Sequence, residues 1–127
     1  MAIIYHITTR EAWEAARPAG VYRPERFADE GFIHCSTRGQ VIRVADARFR
    51  GRRGLVLLCI DTERVAAEIV YENLEGGREL FPHVYGGLNA DAVVEVLDFE
   101  PGEDGRFQLP AGSGSGAADD LRGDPAE

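Results

Sequence analysis

Residues 54–61 read GLVLLCID, and this run decides the fold. After the glycine it is continuously apolar as far as the aspartate, with β-branched members and no helical spacing. Such a run is a strand buried on both faces, not one that alternates between core and water. A strand of that kind sits in the middle of a sheet, and other elements must cover both sides. The neighbours are read from that requirement.

Before it, AIIYHI (2–7) is a β-rich first strand. Thr8 or Thr9 then caps a helix reaching about Arg17; Thr8 and Glu11 have capping-box spacing, and Pro18 and Gly20 end it. Trp13 and Ala16 share one face of that helix. VYRPERFADEG (21–31) reads as a loop with one helical turn, and FIHCS (32–36) as a second strand. Val41, Val44, Ala45 and Phe49 have helical spacing. After the central run, AEIVYE (67–72) is a strand and ENLEGGRE (72–79) a turn-rich loop. FPHVYGGL (81–88) is an irregular segment, DAVVEVLDF (91–99) a strand, and GRFQLP (105–110) an edge strand. Helices come early and strands late. The expected class is α+β, a small mixed and mostly antiparallel sheet with two or three helices.

The chain has 127 residues, which suits a single globular domain over 1–110. From Ala111 the sequence is AGSGSGAADDLRGDPAE, too poor in apolar residues to offset its ordering entropy, and is expected to be a disordered acidic tail. Its four acids and one arginine carry −3 of the net −8. That charge argues against general nucleic-acid binding. No apolar run is long enough for a membrane and the N-terminus lacks a signal-peptide pattern, so the expected compartment is cytoplasmic. Cys35 and Cys59 then read as buried thiols. All fourteen positive residues are arginine, which removes lysine chemistry and leaves a fork suited to phosphate or carboxylate. A GC-rich genome that favours arginine codons explains this bias without any function.

The chemistry concentrates in three segments: IYHIT, FIHCST and FPHVYG. They hold His6, His34 and His83, the three histidines of the chain, each in an apolar or aromatic setting at an expected strand end. Strand alternation puts His34 and Ser36 on one face and turns Cys35 to the other, so a Cys35–His34 catalytic pair is disfavoured. Three readings are open. Each histidine is a satisfied core residue. Or the three hold a metal in a hydrolase, although no short-range ligand spacing supports this and no metal is expected. Or they line a polar pocket for a small molecule or nucleotide. Arg23, Arg26 and Arg38 flank the second strand and could meet a phosphate, though most such arginines are surface residues. Glu72 and Glu79 read as solvated loop residues, with Arg78 able to pair with either, and GGL after Tyr85 is too short to be a phosphate loop.

Together IYHIT, the Trp-bearing helix, GFIHCSTRGQV, LVLLCID and FPHVYGGL resemble the bacterial domain of unknown function 952 family, over about residues 2–100. That family is similar in fold to the ADP-ribosyltransferases. The resemblance implies NAD as cofactor. It implies His6, with Thr8, against the ribose, and His34, Ser36 and Thr37 lining the nicotinamide pocket, with His83 and Tyr85 at the late position. The enzymes of that fold carry a glutamate at the late position, where this chain presents His83 and Tyr85; Glu72 or Glu79 substitutes only if its loop folds back. The expected activity is ADP-ribosyl or phosphoribosyl transfer or hydrolysis, with His6, His34 and His83 as catalytic residues and Thr8, Ser36, Thr37 and Tyr85 as cofactor-binding residues. The alternative is a non-catalytic binding module of the same fold.

Overall fold

The computed structural model describes residues 2–110; the acidic tail expected at 111–127 lies outside the described residues. The chain runs β1 (Ile3–Thr9), α1 (Arg10–Ala16), β2 (Val21–Tyr22), α2 (Phe27–Glu30), β3 (Ile33–His34), α3 (Arg38–Arg48), β4 (Leu55–Asp61), β5 (Glu68–Glu72), β6 (Phe81–Tyr85), β7 (Leu88–Asn89) and β8 (Val93–Phe99). The fold is α+β, and every strand pair is antiparallel.

All seven residues of β4 are buried, as its unbroken apolar run requires. It lies between β1 and β8 in a three-stranded sheet. Alternation sends Val56, Leu58 and Ile60 to one core, with Ile4, Trp13, Tyr22, Ile33, Cys35 and Val84. Leu55, Leu57 and Cys59 go to the other, with Tyr5, Ile7, Val41, Ala45 and Phe99. Helix α1 covers the first face through Trp13, and α3 the second through Val41 and Ala45. Cys35 and Cys59 are both buried and are not joined in a disulfide.

A second three-stranded sheet has the order β3-β6-β5. Reciprocal backbone bonds between Tyr5 and Ser36, of 2.7 and 2.8 Å, join it to β1. A short ribbon pairs β2 with β7. No helix among the described residues is long and apolar enough to cross a membrane.

Of the two expected caps of α1, Thr9 is the one used, its hydroxyl accepting from Ala12 N–H at 3.0 Å. Three local expectations are corrected. FPHVYGGL is not irregular: its first five residues form β6 and Leu88–Asn89 form β7. The paired strand within FIHCS is only Ile33–His34. Cys35 N–H donates to Pro82 O at 3.0 Å, and the proline has no N–H to return, so the ladder ends there. GRFQLP forms no strand; Phe107 instead stacks on Phe99, ring centroids 4.7 Å apart.

Candidate functional site

In the second sheet His34 stands opposite His83, Glu72 opposite Phe81, and Glu68 opposite Tyr85. Period-two alternation therefore puts His34, His83, Tyr85 and Glu72 on one face, with Phe32 and Ser36 flanking His34 on the same side. The reverse face carries Ile33, Cys35, Ile69 and Val84, which pack into the first core. Apart from the half-exposed Tyr71, one face of this small sheet is apolar, while the other gathers the histidines His34 and His83 with Glu72 and Tyr85.

Phe32 organises that polar face. Its ring stacks on His83 (centroids 4.3 Å, planes at 26°) and meets His34 edge-on at 4.7 Å. The two imidazoles lie 5.1 Å apart, nearly perpendicular. His83 is buried, and Glu72 Oε2 accepts its Nδ1–H at 2.8 Å. The same carboxylate accepts the Tyr85 hydroxyl proton. These two donors, Tyr85 first and His83 second, hold Glu72 below the usual carboxylate range, and Glu72 in turn raises the Tyr85 phenol. An ionised carboxylate only accepts, so His83 carries its proton on Nδ1. The other ring nitrogen, Nε2, has no hydrogen-bond partner among the described residues.

His34 is half exposed. Glu30 Oε1 lies 3.1 Å from its Nε2, and Arg26 holds the other oxygen of that carboxylate, also at 3.1 Å. Partial burial lowers the His34 pKa, against the opposing pull of Glu30.

His6 is placed differently. Its Nδ1 lies 2.6 Å from the His34 carbonyl and its Nε2 2.8 Å from the Tyr22 hydroxyl. A carbonyl only accepts, so Nδ1 bears the proton. Burial pushes the His6 pKa down to about 4, leaving the ring neutral with Nε2 as acceptor from Tyr22. The Tyr22 and Thr8 hydroxyls are 2.9 Å apart, and with the phenol proton spent on His6, Thr8 supplies the donor to Tyr22. Both nitrogens of His6 are thus consumed inside the protein, and no group of three metal-ligating side chains stands together among the described residues.

A cavity of about 410 Å³ opens over this arrangement, within the range of small-molecule sites. His6, Thr8, His34, Ser36 and His83 line it, as does Glu72. Thr37 and Tyr85 do not. Thr37 caps α3 in a reciprocal box with Gln40, and Tyr85 acts on Glu72 from outside. The glycines of GGL serve packing: a Cβ on Gly87 would stand 2.6 Å from Val21 Cγ1. Glu79 pairs with Arg43, not with Arg78.

Two contributors are not legible as such in the sequence. Tyr22 reads there as part of a loop, yet it is fully buried and holds His6. Glu72 reads as solvated, although it closes β5 on the same face as His83. Strand alternation carried through Glu72 is the signal that could have raised it.

The chain matches a family described as protein of unknown function, DUF952, over residues 7–96. The crystal structure of protein CC0527 from Caulobacter crescentus is 34% identical, covers 84% of this chain and 94% of that one, and superposes with a TM-score of 0.76. The crystal structure of a double mutant of CC0527 gives the same figures. The solution NMR structure of CC0527 is similar at a TM-score of 0.75, over 86% of this chain and 94% of that one. No curated protein is similar enough to count as a match. With the family match spanning most of the described residues and a relative of known structure sharing a third of its sequence, the chain belongs to the DUF952 family.

Proposed function

We propose that the cavity binds a nucleotide-like ligand, with NAD the first candidate, and that the Glu72–His83 pair acts at its ribosyl bond within an ADP-ribosyltransferase-like fold. The observation that carries this reading is His83: buried, fixed through Nδ1 by a carboxylate, lining the cavity, and with no partner for Nε2 among the described residues. That is the arrangement of a general base held by an orienting acid.

In the hydrolytic form, His83 Nε2 takes a proton from water as the water oxygen bonds to the ribosyl C1′. The C1′–N bond breaks, its electron pair returns to the pyridinium nitrogen, and nicotinamide leaves neutral. A protonated histidine alone would repel the positive ribosyl centre. Glu72 answers this, because the protonated pair is neutral overall. Glu72 therefore takes the part of the missing late glutamate. Ser36 offers its hydroxyl to the ribose and Thr8 an acceptor oxygen, its proton being held by Tyr22, and His6 acts by holding Tyr22 and Thr8 in place. The reading puts the chain in the cytoplasm, where its two cysteines stay reduced.

Saturation-transfer NMR with NAD, together with an assay for nicotinamide release, tests this. NAD is expected to bind, and Glu72→Gln to lower release by about a hundredfold or more with binding retained. No contact with NAD by the folded protein overturns the reading. A second reading, a binding module without chemistry, is favoured by the closure of both His6 nitrogens. It is upheld if NAD binds and no nicotinamide appears.

A further inference from the structure

The cavity has a second end. Beyond the histidine cluster it is lined by Thr9, Phe49, Leu55, Arg48 and Arg52. The two ends are spaced by β1: Tyr5 bridges to Ser36 beside the histidines, and Thr9 pairs with Leu55 at the other end. Four strand residues separate them, roughly 13 Å. A ligand that fills the cavity therefore has two parts, and the far part meets arginine.

We infer that this far end is a phosphate-binding subsite held by Arg48 and Arg52, and that Glu75 competes with the phosphate for Arg48. The inference deepens the nucleotide reading and rests on it for the identity of the whole ligand. The chain bunches four of its fourteen arginines in RFRGRR, 48–53. The Arg52 guanidinium lies over the Phe49 ring, 5.3 Å from its centroid, and no carboxylate pairs with it among the described residues. An arginine shelved on an aromatic ring keeps its planar fork for an anion. Arg48 Nη2 is bonded to Glu75 Oε2 at 3.0 Å, with both side chains more than half exposed. An exposed pair of this kind holds weakly in water, so the anionic oxygens of a pyrophosphate can displace the carboxylate. Glu75 belongs to the 73–75 stretch that also lines the cavity, so the exchange frees that stretch from α3 as the ligand enters. Helix α3 ends at Arg48, and its dipole opposes an anion there. Binding must therefore come from the two guanidiniums, which makes the loss of either one measurable.

The test uses calorimetric titration of the whole chain with inorganic pyrophosphate, NAD and nicotinamide riboside, which lacks the phosphates. Pyrophosphate is expected to bind, more weakly as salt rises. Arg52→Ala is expected to weaken it about tenfold, the effect of one charge-assisted contact. Glu75→Gln should tighten it several-fold, a change of sign that a merely structural role does not produce. Arg50→Ala, exposed and outside the cavity, should leave it unchanged. Pyrophosphate that fails to bind, or that binds Arg52→Ala and Glu75→Gln as it binds the parent chain, overturns the subsite. The two readings separate cleanly. Pyrophosphate bound in this pattern without NAD binding keeps the subsite and removes NAD. NAD bound equally by the parent chain and Arg52→Ala keeps the nucleotide pocket and removes the subsite.

Discussion

His6 and His83 are both buried imidazoles at the same cavity, and what each Nε2 meets separates them. Tyr22 occupies that nitrogen in His6, while in His83 it has no described partner. The consequence for His6 is thermodynamic. Its folded-state pKa of about 4 lies below the ordinary 6.5. Between those values the unfolded chain takes up a proton that the folded chain refuses. Stability contributed by neutral His6 is therefore complete above about pH 6.5 and is lost as pH falls towards 4. The loss amounts to about 3 kcal/mol at most. Urea denaturation across this range should show the decline, and His6→Gln, which has no such proton, should flatten it. An unchanged pH slope in His6→Gln would mean the burial of His6 is not what the structure describes.

Among the elements, the turn between β6 and β7 sets the position of the histidine-bearing face. Gly87 passes so close to β2 that an added Cβ would press on Val21 at 2.6 Å and on the Arg23 side chain at 3.1 Å. The paired glycines are there for close approach, not for phosphate. Gly87→Ala is expected to cost about 1–3 kcal/mol, the usual penalty of overpacking, read as a lower thermal midpoint. A midpoint equal to that of the parent chain would show that the ribbon yields. The same element explains a misreading. FPHVYGGL carries proline and two glycines, which on their own signal irregular backbone. Pro82 is tolerated because it lies where β3 stops pairing, so the bond it cannot donate is not required.

For the whole molecule, β4 ties two cores into one unit. Leu57 belongs to one core and Leu58 to the other, and both are fully buried. Leu57→Ala and Leu58→Ala should each cost about 2–5 kcal/mol. In both variants Trp13 fluorescence and far-UV circular dichroism should give coincident unfolding curves, because neither core can be lost while β4 holds the other. Curves that separate in Leu57→Ala would show two independent units. The second sheet joins this unit through its apolar face and the Tyr5–Ser36 bridge, and that docking closes the cavity between the sheets.

The sequence by itself determined the local and periodic features. The unbroken run at 55–61 required a central strand covered on both sides, and alternation in FIHCST sent Cys35 into the core and left His34 and Ser36 on the other face. These follow from spacing along one strand, which residue order contains in full. Family membership was also legible, in IYHIT, GFIHCST and FPHVYG. Only the tertiary structure decided who meets whom. Glu72 reaches His83 because β5 and β6 pair in one particular register, and a shift of one residue would have turned the carboxylate to the apolar side. Tyr22 closes on His6 across sixteen residues of chain, with no local signal for that contact. Cross-strand register and loop packing are long-range choices, made by the whole core at once, and they closed both nitrogens of His6 inside the protein and brought Glu72, which reads as a solvated acid, onto His83.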